Sequence, residues 1–325
     1  MKRRIGIILL ISVISLSTFI LVSYMNHRIQ LAKEDALFVP MGRLVEVDGR
    51  TIHVYSEGNG EVTLVFMSGG GTSSPVLDFK SLYSLLSDHY RIVVMEKTGY
   101  GFSEVADVDR DIDSILADTR QALALAGIEG PFVLCPHSMS GIEAMYWAQS
   151  YPTEVIAIIG LDMAVPESYE DYEVNLAMIR LGKFMADTGI IRWIPGVAES
   201  DAIKYGTLTD AEKELYRVVF YRRTATRTML DEVQQIKANA DVVARGGGIH
   251  VPVLMFSSNG QGTGWNADAW RGQQYNFISS LSHGAVIELD CSHYVHDIEP
   301  ERIADGIRSY LEEEVKHADT IGFPS

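Results

Sequence analysis

The stretch "PFVLCPHSMSG", residues 131–141, decides how the rest of the chain is read. An apolar run of strand type ends in a serine set between small residues, and the helical pattern "IEAMYWAQSYP" begins directly behind it. Ser138 is therefore either a nucleophile held up on a sharp strand-to-helix turn or a helix cap. In such a turn the strand and helix backbones pass close together, so the residues two before and two after the serine must be compact. Ser140, with Gly141 behind it, meets that need after the turn. Pro136 stands before it, acceptable at a strand end where its missing N–H is not used by the ladder, and it holds Cys135 extended.

Outward from this turn, residues 40–160 alternate short β-branched runs with helical patterns. "RLVEVDGRTIHVYSEG" reads as two strands around the turn Asp48-Gly49, and "VTLVFMS", "YRIVVME", "PFVLCPHS" and "VIAIIGLDM" as apolar strands. "LDFKSLYSLLSDH" and "DIDSILADTRQALALAG" carry apolar residues at three- and four-residue spacing and read as helices. A hairpin followed by strand-helix alternation predicts an α/β fold, a mostly parallel sheet covered on both faces. Such sheets place their chemistry at the carboxyl ends of the strands. Three of those ends carry unusual residues: "SGGG" at 68–71, "EKTGYGFSE" at 96–104, and "PHSMSG". A glycine-rich strand end alone is a weak signal, and no P-loop Lys-Ser/Thr follows here.

Taken together, these motifs resemble the α/β-hydrolase family from about residue 40 to 315. "FMSGGG" is similar to its HGG-type oxyanion loop, with Ser68 where His is usual. "EKTGYGFSE" is similar to its D-x-x-G-x-G-x-S loop, with Glu96 for Asp. "PHSMSG" resembles the nucleophile elbow, and "LDCSHYVHDIEPERIADGIRSYL" the segment that carries the terminal histidine. The resemblance implies an α/β-hydrolase fold and a serine hydrolase. A serine hydroxyl needs a base in reach and a third group to orient that base. His293 follows the strand "AVIELD" by a few residues, as the order Ser, acid, His requires, and His296 fits that place less well.

The acid departs from the commoner pattern. After the penultimate strand, in "VPVLMFSSNGQGTGW", Asn259, Gly260 and Gln261 stand where an Asp is expected, and Asp268 comes several residues late. "VIAIIGLDMAVP" offers Asp162 instead, similar to members resembling haloalkane dehalogenases. Asp162 is the first choice and Asp268 the alternative acid. By the same resemblance the amides of Gly70 and Met139 form the oxyanion hole.

Residues 166–246, between "LDMAVP" and "GGGIHVPVLMF", are helical in period throughout, and Thr209 with Glu212 fits a capping box. In the family an insertion there is a helical cap, so the core is expected over 41–165 and 247–318. The cap's Tyr and Met residues read as its own core, "FYRR" and "RTATR" as a solvated basic face, and Glu167, Glu170, Asp171 and Glu173 as the charged start of a helix or a site for a free amino terminus. Ester and amide substrates both remain open, with resemblance to esterases and to proline-iminopeptidase-like peptidases.

Residues 1–30 form a separate unit joined by a short linker to residue 40. "IGIILLISVISLSTFILVSYM", residues 5–25, carries no charge and is long enough as a helix to cross a lipid bilayer. It is expected to be an uncleaved single-pass anchor; the competing reading is a cleaved signal peptide, but the run exceeds an ordinary h-region and no A-x-A-like site follows. Lys2, Arg3 and Arg4 would stay cytoplasmic, leaving the catalytic domain extracytoplasmic, or secreted if the segment is removed. The formal net charge of −16 argues against a nucleic-acid partner. Two cysteines, Cys135 and Cys291, make no disulfide framework, and neither cofactor nor metal is implied. The alternative to an enzyme is a non-catalytic binding or signalling domain at the membrane surface, since the fold also occurs without catalysis.

Overall fold

The computed structural model describes the backbone of residues 2–321 and the side chains of residues 2–313. Eight strands form one sheet: β1 Arg43–Val47, β2 Arg50–Glu57, β3 Thr63–Met67, β4 Arg91–Glu96, β5 Phe132–Pro136, β6 Val155–Leu161, β7 Val253–Ser257 and β8 Gly284–Glu288. Their spatial order is β1-β2-β4-β3-β5-β6-β7-β8. β1 and β2 pair antiparallel, as does β2 with β4, and every later pairing is parallel. The hairpin turn is at Asp48 and Gly49, both at positive φ, 48° and 77°, as a tight two-residue connection requires. β3, β5 and β7 are buried at every position, which is why they read as unbroken apolar runs rather than alternating ones.

The helices are α1 Lys2–Glu34, α2 Pro75–Asp78, α3 Lys80–Tyr83, α4 Ile112–Leu125, α5 Ser140–Ser150, α6 Leu176–Asp187, α7 Asp201–Lys204, α8 Asp210–Arg223, α9 Arg227–Arg245, α10 Ala267–Ser279, α11 Val295–Ile298 and α12 Pro300–Ile321. The stretch read as one helix after the glycine loop is instead two single turns, α2 and α3, with Phe79 at the joint. One core cluster joins residues of α4, α5 and α9 to one set of sheet side chains, and a second joins those of α3, α11 and α12 to the other. Trp147 lies wholly buried in the first and Phe256 in the second.

Between β6 and β7 the chain runs through a 3-10 turn at Pro166–Tyr169, α6, a second 3-10 turn at Ile190–Trp193, and α7 to α9. Thr209 and Glu212 do form a capping box on α8. The acids Glu167, Glu170, Asp171 and Glu173 do not start a helix: α6 begins only at Leu176, capped by Asn175, whose side chain accepts from the Met178 amide. The expected solvated basic face is corrected at Arg222 and Arg223, whereas Arg227 is exposed and pairs with exposed Asp107. Arg222 pairs with Asp35 at 2.8 Å and donates to the Leu31 carbonyl, and Arg223 donates to the Gly101 carbonyl at 2.7 Å. Both guanidinium groups lie over the Phe38 ring, and burial pushes the Arg223 pKa down to about 10. Periodicity alone could not show that α8 turns these arginines toward the end of α1.

α1 is one continuous helix whose apolar window has a mean hydropathy of 2.8 and is 0% buried, so it is long and apolar enough to cross a membrane. Its last turns are not free. Arg192 grips Glu34 through two bonds of 2.8 Å and donates to His27 at 2.9 Å, while Trp193 donates to Ser23 at 3.1 Å. Gly189 lets the two backbones meet: a Cβ there would lie 2.3 Å from that of His27.

Candidate active site

The turn after β5 is strained in the way a raised serine requires. Ser138 has φ 55°, a value that non-glycine residues adopt rarely and at some energetic cost. Compact neighbours make room for it. A Cβ on Gly141 would lie 2.3 Å from the Ala164 carbonyl oxygen, and one on Gly69 would lie 2.7 Å from the Ser138 Cβ. The turn is tied down by Ser140, whose hydroxyl donates to the carbonyls of Met67 at 2.7 Å and His137 at 2.9 Å. The Ser138 carbonyl accepts from the amides of Gly141 and Ala164. Pro136 completes β5 opposite Met67, so the proline does not disturb the ladder. Ser138 does not cap the helix: the N-cap of α5 is Met139, and it makes no side-chain capping bond.

Asp162 sits at the end of β6, also at positive φ, 51°, and is fully buried. Its Oδ2 lies 2.6 Å from Nδ1 of His293. Its Oδ1 accepts from the Ser258 amide at 2.7 Å, Trp270 Nε1 at 2.8 Å and Gln274 Nε2 at 3.3 Å. An acceptor-only carboxylate on Nδ1 fixes the proton there and leaves Nε2 as the basic nitrogen. Asp268 lies exposed in the first turn of α10, and the imidazole is bonded to Asp162 instead. What α10 contributes is Trp270 and Gln274, two residues the sequence reading did not single out. Both hold the carboxylate rather than the imidazole, and their only signal was position on the helix after the penultimate strand.

The His293 backbone is held by its amide bond to the Gln261 carbonyl at 2.9 Å, and its ring meets the edge of Trp270 at 5.8 Å. On another side lies the ring of His137, 4.5 Å away. His137 Nε2 donates to the His293 carbonyl at 3.1 Å. Burial, with His293 and His296 nearby, holds the His137 pKa well below the ordinary histidine range, so this ring stays neutral beside the base.

Gly70 lies beside Met139, the residue after the serine: a Cβ at Gly70 would come within 2.8 Å of the Met139 Cε. The Met139 amide belongs to the positive end of α5, where negative charge is favoured. Gly70 also faces α9, with Val233 Cγ2 3.9 Å from the same built position.

Beneath α9 lies a buried ionic network that sequence gave no means of assembling. Lys97 bonds to Glu143 of α5 at 2.5 Å and to Glu232 of α9, and Arg110 bonds to the other Glu232 oxygen at 2.6 Å. Tyr100 donates to Glu232 at 3.1 Å. Two cations and two anions balance in a dry interior, where any one left alone is costly. Glu96, the substitution for Asp in its loop, is likewise occupied, accepting from the amides of Phe102 and Val76 and lying 2.9 Å from His53 Nδ1.

A second buried group lies behind His293. His296 Nε2 is 3.1 Å from Asp78 Oδ2, Tyr216 donates to Asp78 Oδ1 at 3.2 Å, and neither oxygen of Asp297 has a partner. Burial and the nearby Asp78 and Asp201 raise the Asp297 pKa well above the usual carboxylate range. Asp78, His296 and Asp297 have donor atoms within 4.8 Å of one another and are the one set among the described residues spaced for a metal ion. A cleft of 1030 Å³, lined by residues such as Arg50, Asp107, Asp118 and Arg227, includes none of Ser138, Asp162 and His293. A smaller cavity of 210 Å³ is bordered by Gly71 and Thr72 of the glycine loop and by Tyr294, the residue after His293.

Residues 64–306 match the alpha/beta hydrolase family, and the chain belongs to that family. It is 42% identical over 234 residues to the Bacillus subtilis (strain 168) protein YbdG, covering 71% of this chain and 70% of that one. Its fold is similar to an enol-lactonase from Burkholderia xenovorans LB400, TM-score 0.60 and 18% identity, covering 84% of this chain and 100% of the other. It is also similar to a membrane phospholipase A described as a bacterial virulence factor, TM-score 0.61 and 16% identity, covering 97% and 99%. Family membership places this chain among the alpha/beta hydrolases, and the solved neighbours share its fold.

Proposed function

We propose that the protein is a membrane-anchored serine esterase in which Ser138 attacks an acyl carbonyl, His293 is the base and Asp162 orients it. The observation that carries this reading is the 2.6 Å Asp162–His293 bond, from the strand end next to the strained serine turn. His293 Nε2 takes the serine proton as the C–O bond forms, and the fixed Asp162 carboxylate stabilises the imidazolium. The amides of Gly70 and Met139 receive the oxyanion. His293 returns the proton to the departing alcohol, and a water activated by the same nitrogen clears the acyl-enzyme and regenerates Ser138.

An ester is favoured over a peptide because the acids considered for an amino terminus, Glu167, Glu170, Asp171 and Glu173, are all exposed. The similarity in fold to a lactonase and to a phospholipase agrees with that choice. The helical segment 166–246 serves as the cap, with α9 over the Gly70 loop. α1 is an uncleaved anchor with Lys2, Arg3 and Arg4 on the cytoplasmic side. Its docked end supports retention, since cleavage near Met25 would remove Phe19 and Ser23, the partners of Trp193.

A fluorophosphonate probe applied to the full chain in detergent tests the assignment. The expected outcome is labelling of wild type, none of Ser138→Ala, strong slowing in Asp162→Asn, and a wild-type rate in Asp268→Asn. A folded wild-type protein that takes no label refutes the enzyme reading and favours a binding domain.

A further inference from the structure

The cap carries an apolar face on α6 that the described residues leave largely exposed. In α6 the only buried residue is Ala186, although the helix is mostly apolar in composition. Leu176, Met178, Leu181 and Phe184 are exposed by 39%, 62%, 50% and 45%. Met178, Leu181 and Phe184 recur every three residues and so share one side of the helix, with Arg180 and Lys183 turned toward the opposite side. The adjoining 3-10 turn adds Trp193 and Ile194, exposed by 54% and 41%. A contiguous apolar patch of this kind marks an interaction surface rather than ordinary solvent-facing protein.

The contacts with α1 say what covers it. At a rise of about 1.5 Å per residue, the apolar run from residue 5 to 25 spans about 30 Å and ends near Met25. Trp193 touches that final apolar part, its ring 6.2 Å from Phe19 and its Nε1 bonded to Ser23. The charged contacts come two to three turns later, Arg192 on Glu34 and Arg222 on Asp35. The cap surface thus changes from apolar to charged along α1 in the order that a lipid-to-water boundary changes. Trp193 falls at the depth where tryptophan is enriched in membrane proteins. An amphipathic helix with a basic polar face lying in the headgroup region has the same composition as α6.

Resting on the anchor and esterase readings, we propose that α6 and Trp193 dock in the interface of the bilayer that α1 spans, so that the site takes its ester from the lipid phase. The cap is then held against the membrane at two places, and its hydrolysable substrate is an amphiphile with a long acyl chain rather than a small solute. The segment joins the site directly: the chain leaves Asp162 at the end of β6 and passes through Pro166–Tyr169 into α6.

The test uses the full chain in vesicles of phosphatidylethanolamine and phosphatidylglycerol. Phe184→Cys is labelled with a fluorophore, which is selective because Cys135 and Cys291 are buried. Acyl-brominated lipid is expected to cause about a twofold loss of its emission. The double variant Leu181→Glu, Phe184→Glu is expected to hydrolyse a vesicle-borne long-chain ester about tenfold more slowly and a water-soluble short-chain ester within about twofold of wild type. Unquenched fluorophore on protein that survives a carbonate wash means that α1 anchors but the face lies in water, which overturns the proposal. Self-quenching that rises with protein density instead assigns the face to a second copy and also overturns it. Loss of the protein in the wash removes the anchor reading and the proposal with it. Lipid quenching without hydrolysis of either ester upholds the docking, overturns the lipid substrate and counts against the esterase reading alone.

Discussion

Asp162 and Asp297 are both buried carboxylates, and their surroundings separate them. Asp162 has four bonding partners, whereas Asp297 has none and faces Asp78, His296 and Asp201 across a dry space. A carboxyl whose folded pKa is raised binds its proton more tightly folded than unfolded. Its contribution to stability is therefore complete below the ordinary value of about 3.9 and is lost as pH rises toward the raised one. Asp297→Asn, which mimics the protonated form, is expected to flatten the fall in Tm between pH 5 and 8 and to raise Tm at pH 8 by about 2 °C or more. A variant with lower Tm, and a wild type that loses stability in chelator, would instead make Asp297 a metal ligand. Asp162→Asn should leave Tm near wild type and lower kcat by about 10⁴-fold through loss of the imidazole's orientation, read with a short-chain ester at saturation. Ser138 and His293 were visible in sequence because the strained turn and the chain order constrain residue type locally. Asp162 and Asp268 follow different strands, and it is Asp162 whose carboxylate lies against His293.

At the scale of elements, α9 is joined to the core by charge as well as by apolar packing. Glu232 of α9 accepts from Lys97, Arg110 and Tyr100, while Glu143 of α5 shares Lys97. The two cations hold the Glu232 carboxyl below its ordinary pKa, so its contribution is present above about pH 4.3 and is lost as pH falls through the depressed value. Glu232→Ala leaves buried Arg110 without a carboxylate and Lys97 with Glu143 alone, and should cost about 3–5 kcal/mol, measured by urea unfolding. Glu232→Gln keeps part of the bonding and should cost less. Equal losses in the two variants would show that packing, not charge, holds α9. The sequence showed α9 as an amphipathic helix, yet its inward Glu232 broke the apolar stripe without any sign of its partners. Lys97 precedes it by 135 residues, and no local pattern couples positions so far apart.

For the whole molecule, α1 and the α/β-hydrolase domain form one packed unit. A chain shortened to begin at residue 36 leaves Arg192 without Glu34 and His27, Arg222 without Asp35, and Trp193 without Ser23 and Phe19. It is expected to lose several degrees in Tm against the full chain in the same detergent, with the loss reproduced in part by Arg192→Ala; an unchanged Tm would mean that α1 is only a tether. Strand identity, the hairpin, the elbow and the membrane-length helix were fixed by sequence alone, because each depends on periodicity, turn chemistry or residue size within a short window. The choice of Asp162, the Lys97–Glu232 network, the turn of Arg222 and Arg223 toward α1, and the apolar face of α6 beside it were decided only by tertiary structure. Each is a relation between segments distant in sequence, and burial and charge pairing exist only once those segments meet.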